Sequence, residues 1–151
     1  MASIKLVHIA YKGGGPALID LLGGRVPLMV SSLPSAIPHI KTGKARALAV
    51  TSARRSSAIP DLMTITEATG FADYEAVTWQ GLVLPAAVPH AIIARVSGAT
   101  IKVLAAGETK NRLLGLGYEP IASTSAAFAA FIRAELERWP KVFKAAGIKG
   151  E

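Results

Sequence analysis

Short segments rich in β-branched and aliphatic residues alternate with short helical patterns through the first 51 residues of the chain. Residues 4–10, 26–30 and 45–51 have the composition of strands. Each interval between them has a helical pattern closed by glycine, and Pro16 suits the first position of the first helix. Because parallel strands need a crossover connection, this order predicts a parallel sheet covered by helices.

The rest of the chain continues this mixture of signals. Thr64 with Glu67 three residues later has the pattern of a capping box for one short helix. Residues 77–85 and 118–122 have strand composition, the first of them stopped by a proline. Further helices are predicted over residues 91–107, 108–117 and 126–147, the last of them kinked or restarted at Pro140.

The composition and motifs exclude several classes of function. The chain has no cysteine, which rules out disulfides, thiolate zinc sites and cysteine nucleophiles. Its three histidines lie far apart without the spacing of metal ligands, and neither G-x-S-x-G nor a catalytic pair of acids stands out. No apolar run reaches the roughly 18–20 residues that cross a bilayer. We therefore expect no metal, no cofactor and no catalysis.

The charge is strongly positive, with 17 Lys and Arg against 10 Asp and Glu, a net +7. Such an excess serves solubility, and it also favours anionic partners. A nucleic-acid surface would cluster its cations among aromatic side chains. Here the only adjacent basic pair is Arg54-Arg55, and aromatic residues make up 6% of the chain. We expect no nucleic-acid partner, whereas a small anion stays open.

Two strand-to-helix junctions are candidate binding sites. At the first, Gly13, Gly14 and Gly15 would let an anion approach free backbone N–H groups at a helix N-terminus, or would serve only a tight turn. At the second, Ser32 and its serine neighbours either contact a ligand or cap the helix, and the two roles are compatible. In an open parallel sheet, both junctions face the carboxyl edge where ligands bind.

Several long motifs resemble the Bug/TctC family, the periplasmic solute-binding proteins of tripartite tricarboxylate transporters. They read HIAYKGGGPALIDLLGGRVPLM, SSLPSAIPHIKTGKARALAVTSARRSSAIPD, VTWQGLVLPAAVP and STSAAFAAFIRAELERWPKVFKAAGI. The resemblance covers essentially the whole chain. It implies an α/β fold of the type II periplasmic-binding-protein class, with parallel-rich sheets covered by helices. It also implies carboxylate ligands, such as dicarboxylates, citrate-like acids, amino acids and aromatic acids, and no enzymatic activity; the expected partner is a small carboxylate or an acidic amino acid.

Family members are about twice as long as this chain, so the resemblance implies an incomplete two-lobe architecture that lacks the N-terminal half. Residues 1–76 correspond to the later part of lobe two, the ligand-binding lobe. Residues 77–85 correspond to the return crossing strand at the hinge, and residues 86–151 to the C-terminal part of lobe one. The opening, MASIKLVHIAYK, lacks the apolar core of a secretory signal. We expect a periplasmic protein by resemblance, and a cytoplasmic one if the chain is expressed as written.

The resemblance also assigns site residues. Tyr11, Lys12 and the three glycines match the family's Y-K-G-G-G loop at the ligand cleft. Ser32, Leu33 and Pro34 match the next cleft-edge loop, and Trp79 and Gln80 lie on the crossing strand near the hinge. From the residues alone, Trp79 is expected in the core more than in a cleft. The expected ligand contacts are the backbone N–H groups of Gly13, Gly14 and Gly15 and the Ser32 hydroxyl.

Two functions follow as alternatives. The first is a solute-binding protein, or a truncated form of one, that delivers a small carboxylate to the membrane components of a tripartite transporter. Losing about half of the contacts, about 4 kcal/mol, would move a micromolar Kd to about millimolar. The second is a non-binding remnant of the family that self-associates to cover exposed edges and apolar faces. A regulator's effector domain shares this fold class, but the sequence has no helix-turn-helix.

Overall fold

A computed structural model describes residues 6–147 of the chain. Within that range the regular structure is helical. The helices are α1 (Gly14–Leu22), α2 (Leu33–Lys41), α3 (Ile65–Thr69), α4 (His90–Ala105), α5 (Gly107–Gly115) and α6 (Ser125–Ala146). Among these described helices, none combines the length and apolar character that a membrane crossing requires.

The chain forms two compact units. Within the described residues, unit 1 comprises residues 6–80 and Leu113–Glu119, and unit 2 comprises Gly81–Arg112 and residues 120–147. Unit 1 therefore holds α1, α2 and α3, and unit 2 holds α4 and α6, while α5 contributes to both. The first division falls after Gln80, inside the predicted crossing segment 77–85. The assignment of these parts to family lobes stays a prediction.

The predicted strands do not pair into ladders among residues 6–147. The β pairing in this range is an isolated parallel bridge between Val50 and Thr64, with hydrogen bonds from Val50 N to Met63 O and from Ile65 N to Val50 O. The strand predictions for residues 6–10, 26–30, 77–85 and 118–122, and for most of 45–51, are thus wrong within this range; residues 4 and 5 lie outside the described residues. A strand exists only through a ladder of hydrogen bonds with a neighbouring strand, and within residues 6–147 the pairing is limited to the bridge at Val50.

The helix boundaries follow glycine signals more closely than proline signals. Gly24 and Gly43 have φ near 70° and close α1 and α2 in Schellman motifs, since the next N–H bonds back to the carbonyl five residues earlier. The helix α1 begins at Gly14, so Pro16 takes its third position and not its first. The helix α6 runs through Pro140 without restarting, because one missing N–H costs a single bond in a 22-residue helix.

Unit 1 contains the buried residues of the described chain. Val26, Ile37 and Val50 are its buried apolar side chains, and Ser56 and Thr64 are its buried polar ones. No described residue of unit 2 is buried.

Unit 2 is organised by aromatic contacts along α6. The rings of Phe128 and Phe131 stack with centroids 6.5 Å apart, and Trp139 lies 5.8 Å from Phe143. The Trp139 indole N–H donates to Glu135 at 2.7 Å. A Cβ on Gly81 would clash with the Phe128 ring, so the ring packs directly on the glycine backbone. A side chain at position 81 would displace the ring.

The predicted capping box is confirmed and ties α3 to the loop before it. Thr64 Oγ1 accepts from Glu67 N at 3.0 Å, and Thr64 N donates to the Glu67 carboxylate at 2.7 Å. Arg55 Nε donates to the same carboxylate at 2.9 Å. The backbone hydrogen bond from Thr64 and the ion pair with Arg55 lower the pKa of Glu67.

Replacing Thr64 with alanine is expected to destabilise unit 1 by about 1–2 kcal/mol, because α3 loses its cap and the Glu67 N–H loses its acceptor, Thr64 Oγ1. The Thr64→Ser variant keeps the cap oxygen and should lie between wild type and Thr64→Ala. Urea unfolding at constant pH measures the difference. Equal stability of Thr64→Ala and wild type would show that the capping box contributes nothing.

Candidate functional site

The glycine loop enters α1 with its backbone uncovered. Gly13 is the N-cap, with φ 124° and ψ 170°, and no side chain caps the helix. A helix leaves the N–H groups of its N-cap and first three residues without partners inside the helix. Because Pro16, the third residue, has no N–H, the free donors here are those of Gly13, Gly14 and Gly15. All three are glycine amides.

Only one of these glycines needs to be glycine for backbone reasons. Gly13 has a positive φ, which disfavours any side chain, but Gly14 and Gly15 do not. A Cβ at Gly14 or Gly15 would meet no atom within 4 Å. The tight-turn interpretation therefore accounts for Gly13 alone. At Gly14 and Gly15, the glycine leaves open space beside free donors at the positive end of a helix dipole, which is the arrangement that binds anions.

Tyr11 holds this loop against α1. Its hydroxyl donates to Asp20 Oδ2 at 2.8 Å, and Arg25 Nη1 forms an ion pair with Asp20 Oδ1 at 2.7 Å. Bonds from Arg25 and Tyr11 lower the pKa of Asp20, and the bond to Asp20 raises the pKa of Tyr11. The Tyr11 phenol proton is thus engaged within the protein. Tyr11 can position the glycine loop and offer its ring to a ligand.

Asp20→Asn is expected to make the melting temperature depend less on pH in the acid range. The folded-state pKa of Asp20 is depressed, so its ion pair stabilises the fold above the unfolded pKa of about 3.9, and this stabilisation is lost as pH falls through the folded pKa. Melting temperatures between about pH 5 and pH 2 should fall less steeply in Asp20→Asn than in wild type. Glu108→Gln in unit 2 is the control. Parallel profiles for wild type and Asp20→Asn would contradict the assignment.

The second junction is the N-terminus of α2. Ser32 is its N-cap with extended backbone, as predicted, but its side chain makes no capping bond. Instead, Ser32 Oγ and Ser35 Oγ share a hydrogen bond of 2.9 Å. In α3 and α6, by contrast, Thr64 and Thr124 accept from backbone N–H groups inside the helix. Both helices at the predicted site thus lack a side-chain cap, and the Leu33 N–H joins the free donors at α2.

One residue at this junction was missed by the sequence analysis. Gly117, with φ 87°, lies so close to α2 that a Cβ there would be 3.3 Å from Pro34 N and 2.6 Å from Ile37 Cδ1. Its N–H donates to Leu114 O, and the next N–H reaches Leu113 O, which makes a Schellman motif at the end of α5. The glycine pattern predicts this motif, but nothing local identifies its contact with α2.

The remaining predicted residues take different positions. Gln80 ends the first of the two chain segments that make up unit 1. The side chain of Trp79 is exposed, with 41% of its surface accessible. The expectation of a core position for Trp79 is wrong, because the segment around it has no sheet to pack in. No group of three or more His, Cys, Asp or Glu side chains in residues 6–147 is arranged to hold a metal ion.

An open concavity of unit 1 lies away from the predicted residues, at the C-terminal end of α2. Its volume is about 610 Å³. Arg46 and Asp61 are the charged residues at its wall, and aliphatic side chains supply most of the rest. None of the predicted ligand residues lines it. The predicted site is therefore an exposed pair of helix N-termini in unit 1 and not an enclosed cavity.

Comparison with known proteins gives consistent matches. The family described as "Tripartite tricarboxylate transporter family receptor" matches residues 1–148. A UPF0065 protein in the tcbD-tcbE intergenic region of Pseudomonas sp. (strain P51) is 34% identical over 141 residues, 93% of this chain and 42% of that protein. These matches confirm the resemblance noted in the sequence.

Solved structures match the backbone as well. R. palustris Rpa4515 with adipate has a TM-score of 0.90 at 33% identity, over 97% of this chain and 49% of that one. The periplasmic binding protein BugD has a TM-score of 0.84 at 31% identity, over 98% and 50%. MatC from Rhodopseudomonas palustris with bound malate has a TM-score of 0.75 at 28% identity, over 89% and 46%. These matches confirm the predicted fold class, an incomplete two-lobe α/β binding-protein fold, although the segments predicted as strands form no ladder with one another within residues 6–147. The chain spans about half the length of these relatives.

Proposed function

Because the chain belongs to the tripartite tricarboxylate transporter receptor family, we propose that it carries the glycine-loop part of a binding site for a small carboxylate. The observation that supports this most is the start of α1. There, three glycine N–H groups are free. The backbone conformation and the surroundings of Gly14 and Gly15 would both accept a side chain, so neither explains why these residues are glycine. A carboxylate oxygen has the size and charge to accept from such donors.

The free donors set the chemistry of the ligand. Each uncapped helix N-terminus offers main-chain N–H groups and a partial positive charge, which stabilise one carboxylate group without a cationic side chain. Unit 1 has two such termini, at Gly13 and at Ser32. A ligand with two carboxylates would use both, and adipate, the ligand named with Rpa4515, is a dicarboxylate. The Ser32 hydroxyl adds a further polar contact.

This chemistry is binding without turnover. Catalytic turnover would need a nucleophile or an acid–base pair beside the ligand. The free groups at these two helix N-termini are instead backbone amides. The receptor would act in the periplasm, as the name of its relative BugD indicates for that protein, and would deliver its ligand to the membrane components of a tripartite transporter. Acidic amino acids belong to the same ligand class.

A melting-temperature screen against mono-, di- and tricarboxylates and acidic amino acids tests the proposal. At ten times its Kd a ligand adds about 1.4 kcal/mol, which should raise the melting temperature by several degrees. With about half of the family fold, we expect a Kd near millimolar, so the screen should extend to tens of millimolar at constant ionic strength. Selective shifts by dicarboxylates over chloride and sulfate are expected. Equal shifts by every anion would contradict a carboxylate site.

The alternative is a non-binding, self-associating remnant of the family. The observation that favours it is the exposed apolar surface, since side chains such as Val7, Val30 and Leu136 are 90%, 82% and 68% exposed. This alternative predicts oligomers whose mass grows with protein concentration and no melting response to any carboxylate. Light scattering during the same screen separates the two functions.

A further inference from the structure

Asp20, in the last turn of α1, bonds to the chain on both sides of that helix. Its carboxylate accepts from the Tyr11 hydroxyl, before α1, at 2.8 Å, and from Arg25 Nη1, after α1, at 2.7 Å. Its main-chain carbonyl accepts from Arg25 N at 2.9 Å. The Asp20 side chain is 25% accessible, so these bonds are partly shielded from water, which strengthens them. Asp20 therefore joins the two segments that flank α1.

The segment after α1 is anchored in unit 1. Val26 is one of the three buried apolar residues within residues 6–147, and its N–H also bonds to the Asp20 carbonyl, at 3.4 Å. Gly24 closes α1 in its Schellman motif directly before Arg25. The Asp20 side chain is thus held from the packed end of the helix, and its bond to Tyr11 fixes the tyrosine hydroxyl relative to that end.

The glycine loop at the other end of α1 has few means of holding its own shape. Gly13, Gly14 and Gly15 have no side chain to pack, and glycine loses more conformational freedom on ordering than any other residue. Free N–H groups bind an anion well when they are held in one arrangement before the ligand arrives. Tyr11 lies two residues before Gly13, so its bond to Asp20 fixes the point at which the chain enters the loop.

We propose that Asp20 is a positioning residue for the glycine loop. Acting through the Tyr11 hydroxyl, it holds the free N–H groups of Gly13, Gly14 and Gly15 in the arrangement that accepts a carboxylate. This inference rests on the proposed function, since it states how that site is held in place. Arg25 has a complementary role, because its guanidinium orients the Asp20 carboxylate and offsets its negative charge.

The direction of the effect on affinity separates positioning from simple charge repulsion. Asp20 lies six residues after Gly14 in α1, about 9 Å along the helix at 1.5 Å per residue. At that distance a carboxylate repels an anionic ligand weakly, and removing its charge would tighten binding by about twofold at most. Positioning predicts the opposite. Asp20→Ala should weaken adipate binding at least about threefold, because the loop then spends less time in the binding arrangement.

A double-mutant cycle tests whether Asp20 acts through Tyr11. The Kd for adipate is measured by NMR titration of wild type, Tyr11→Phe, Asp20→Ala and the double variant. Tyr11→Phe keeps the ring and loses only the hydroxyl, so each single variant should weaken binding by a similar factor and the double variant by no more. Asp20→Asn keeps an oxygen acceptor and should lie between wild type and Asp20→Ala. Tyr74→Phe and Asp61→Ala, in the same unit, are the matched controls and should stay within about twofold of wild type.

Amide order parameters of the ligand-free chain keep this inference separate from the proposed function. Those of Gly13, Gly14 and Gly15 should fall in Tyr11→Phe and in Asp20→Ala, while that of Gly98 in α4 stays unchanged. Additive losses of affinity in the cycle, tighter binding by Asp20→Ala, or unchanged order parameters in the glycine loop would overturn the positioning role. If wild type itself does not bind adipate, the proposed function fails, and the order parameters alone decide whether Asp20 holds the loop.

Discussion

Gly117→Ala is expected to lower the stability of unit 1 by about 3 kcal/mol. The new methyl group would lie 2.6 Å from the Cδ1 atom of Ile37, which is one of three buried apolar residues within residues 6–147. It would also have to adopt φ 87°, which costs an L-residue about 1–2 kcal/mol, in addition to about 1–3 kcal/mol for overpacking. Because Pro34 N is also within 3.3 Å, we expect the N-terminus of α2 to shift.

The two tryptophans allow each unit to be measured separately. Trp79 lies in unit 1 and Trp139 in unit 2, so urea unfolding in a Trp139→Phe background follows unit 1 by the fluorescence of Trp79. Gly81→Ala is the matched control, because its methyl group would clash with Phe128 in unit 2 and leave the α2 N-terminus unchanged. If Gly117→Ala and wild type unfold at the same urea concentration in this background, the packing of Gly117 on α2 is wrong.

Gly15→Ala is expected to weaken carboxylate binding at least tenfold while stabilising the ligand-free chain. The methyl group projects into open space and meets no protein atom, and alanine favours a helix over glycine by about 0.5–1 kcal/mol. The same methyl group occupies the space through which an anion reaches the free N–H groups. Destabilisation therefore cannot explain a loss of affinity in this variant. The melting temperature without ligand and the Kd for adipate are the two measurements.

Gly98→Ala is the matched control for this second prediction. Gly98 also lies in a helix, α4, and a Cβ there also meets nothing within 4 Å. It should give a similar or larger gain in melting temperature and leave the Kd within about twofold. If Gly15→Ala and Gly98→Ala bind adipate equally well, Gly15 does not border the ligand, whatever their effects on stability.

Sequence reasoning succeeded at several positions where the determinant was local, although not at Pro16 or Ser32. The capping box at Thr64 and Glu67 and the glycine ends of α1 and α2 depend on residues within one or two turns. The restart predicted as one alternative at Pro140 does not occur, because a long helix can lose one hydrogen bond and continue. The kink, the other alternative, stays a prediction. The end of α5 was recognisable from its glycines, although its exact position was not.

Sequence reasoning failed where the determinant was distant in the chain. Strand composition at residues 26–30 and 77–85 reports a tendency to pair, whereas a ladder requires a neighbour that these segments lack among the described residues. Gly117 contacts Ile37 although the two residues are far apart in sequence, and no local pattern indicates it. In the candidate site, resemblance supplied the glycine loop, but only the structure separates Gly13, which needs its conformation, from Gly14 and Gly15, which do not.

A titration of the ¹⁵N-labelled chain with adipate, followed by NMR, tests the central claim most directly. The amide signals of Gly13, Gly14 and Gly15 should shift in a saturable manner, because these N–H groups donate to the bound carboxylate. The amide of Gly98, bonded within α4, should not move. Shifts confined to residues around the concavity at Ile40 and Leu62, or no saturable shift at any of the three glycines, would contradict a carboxylate site at the start of α1.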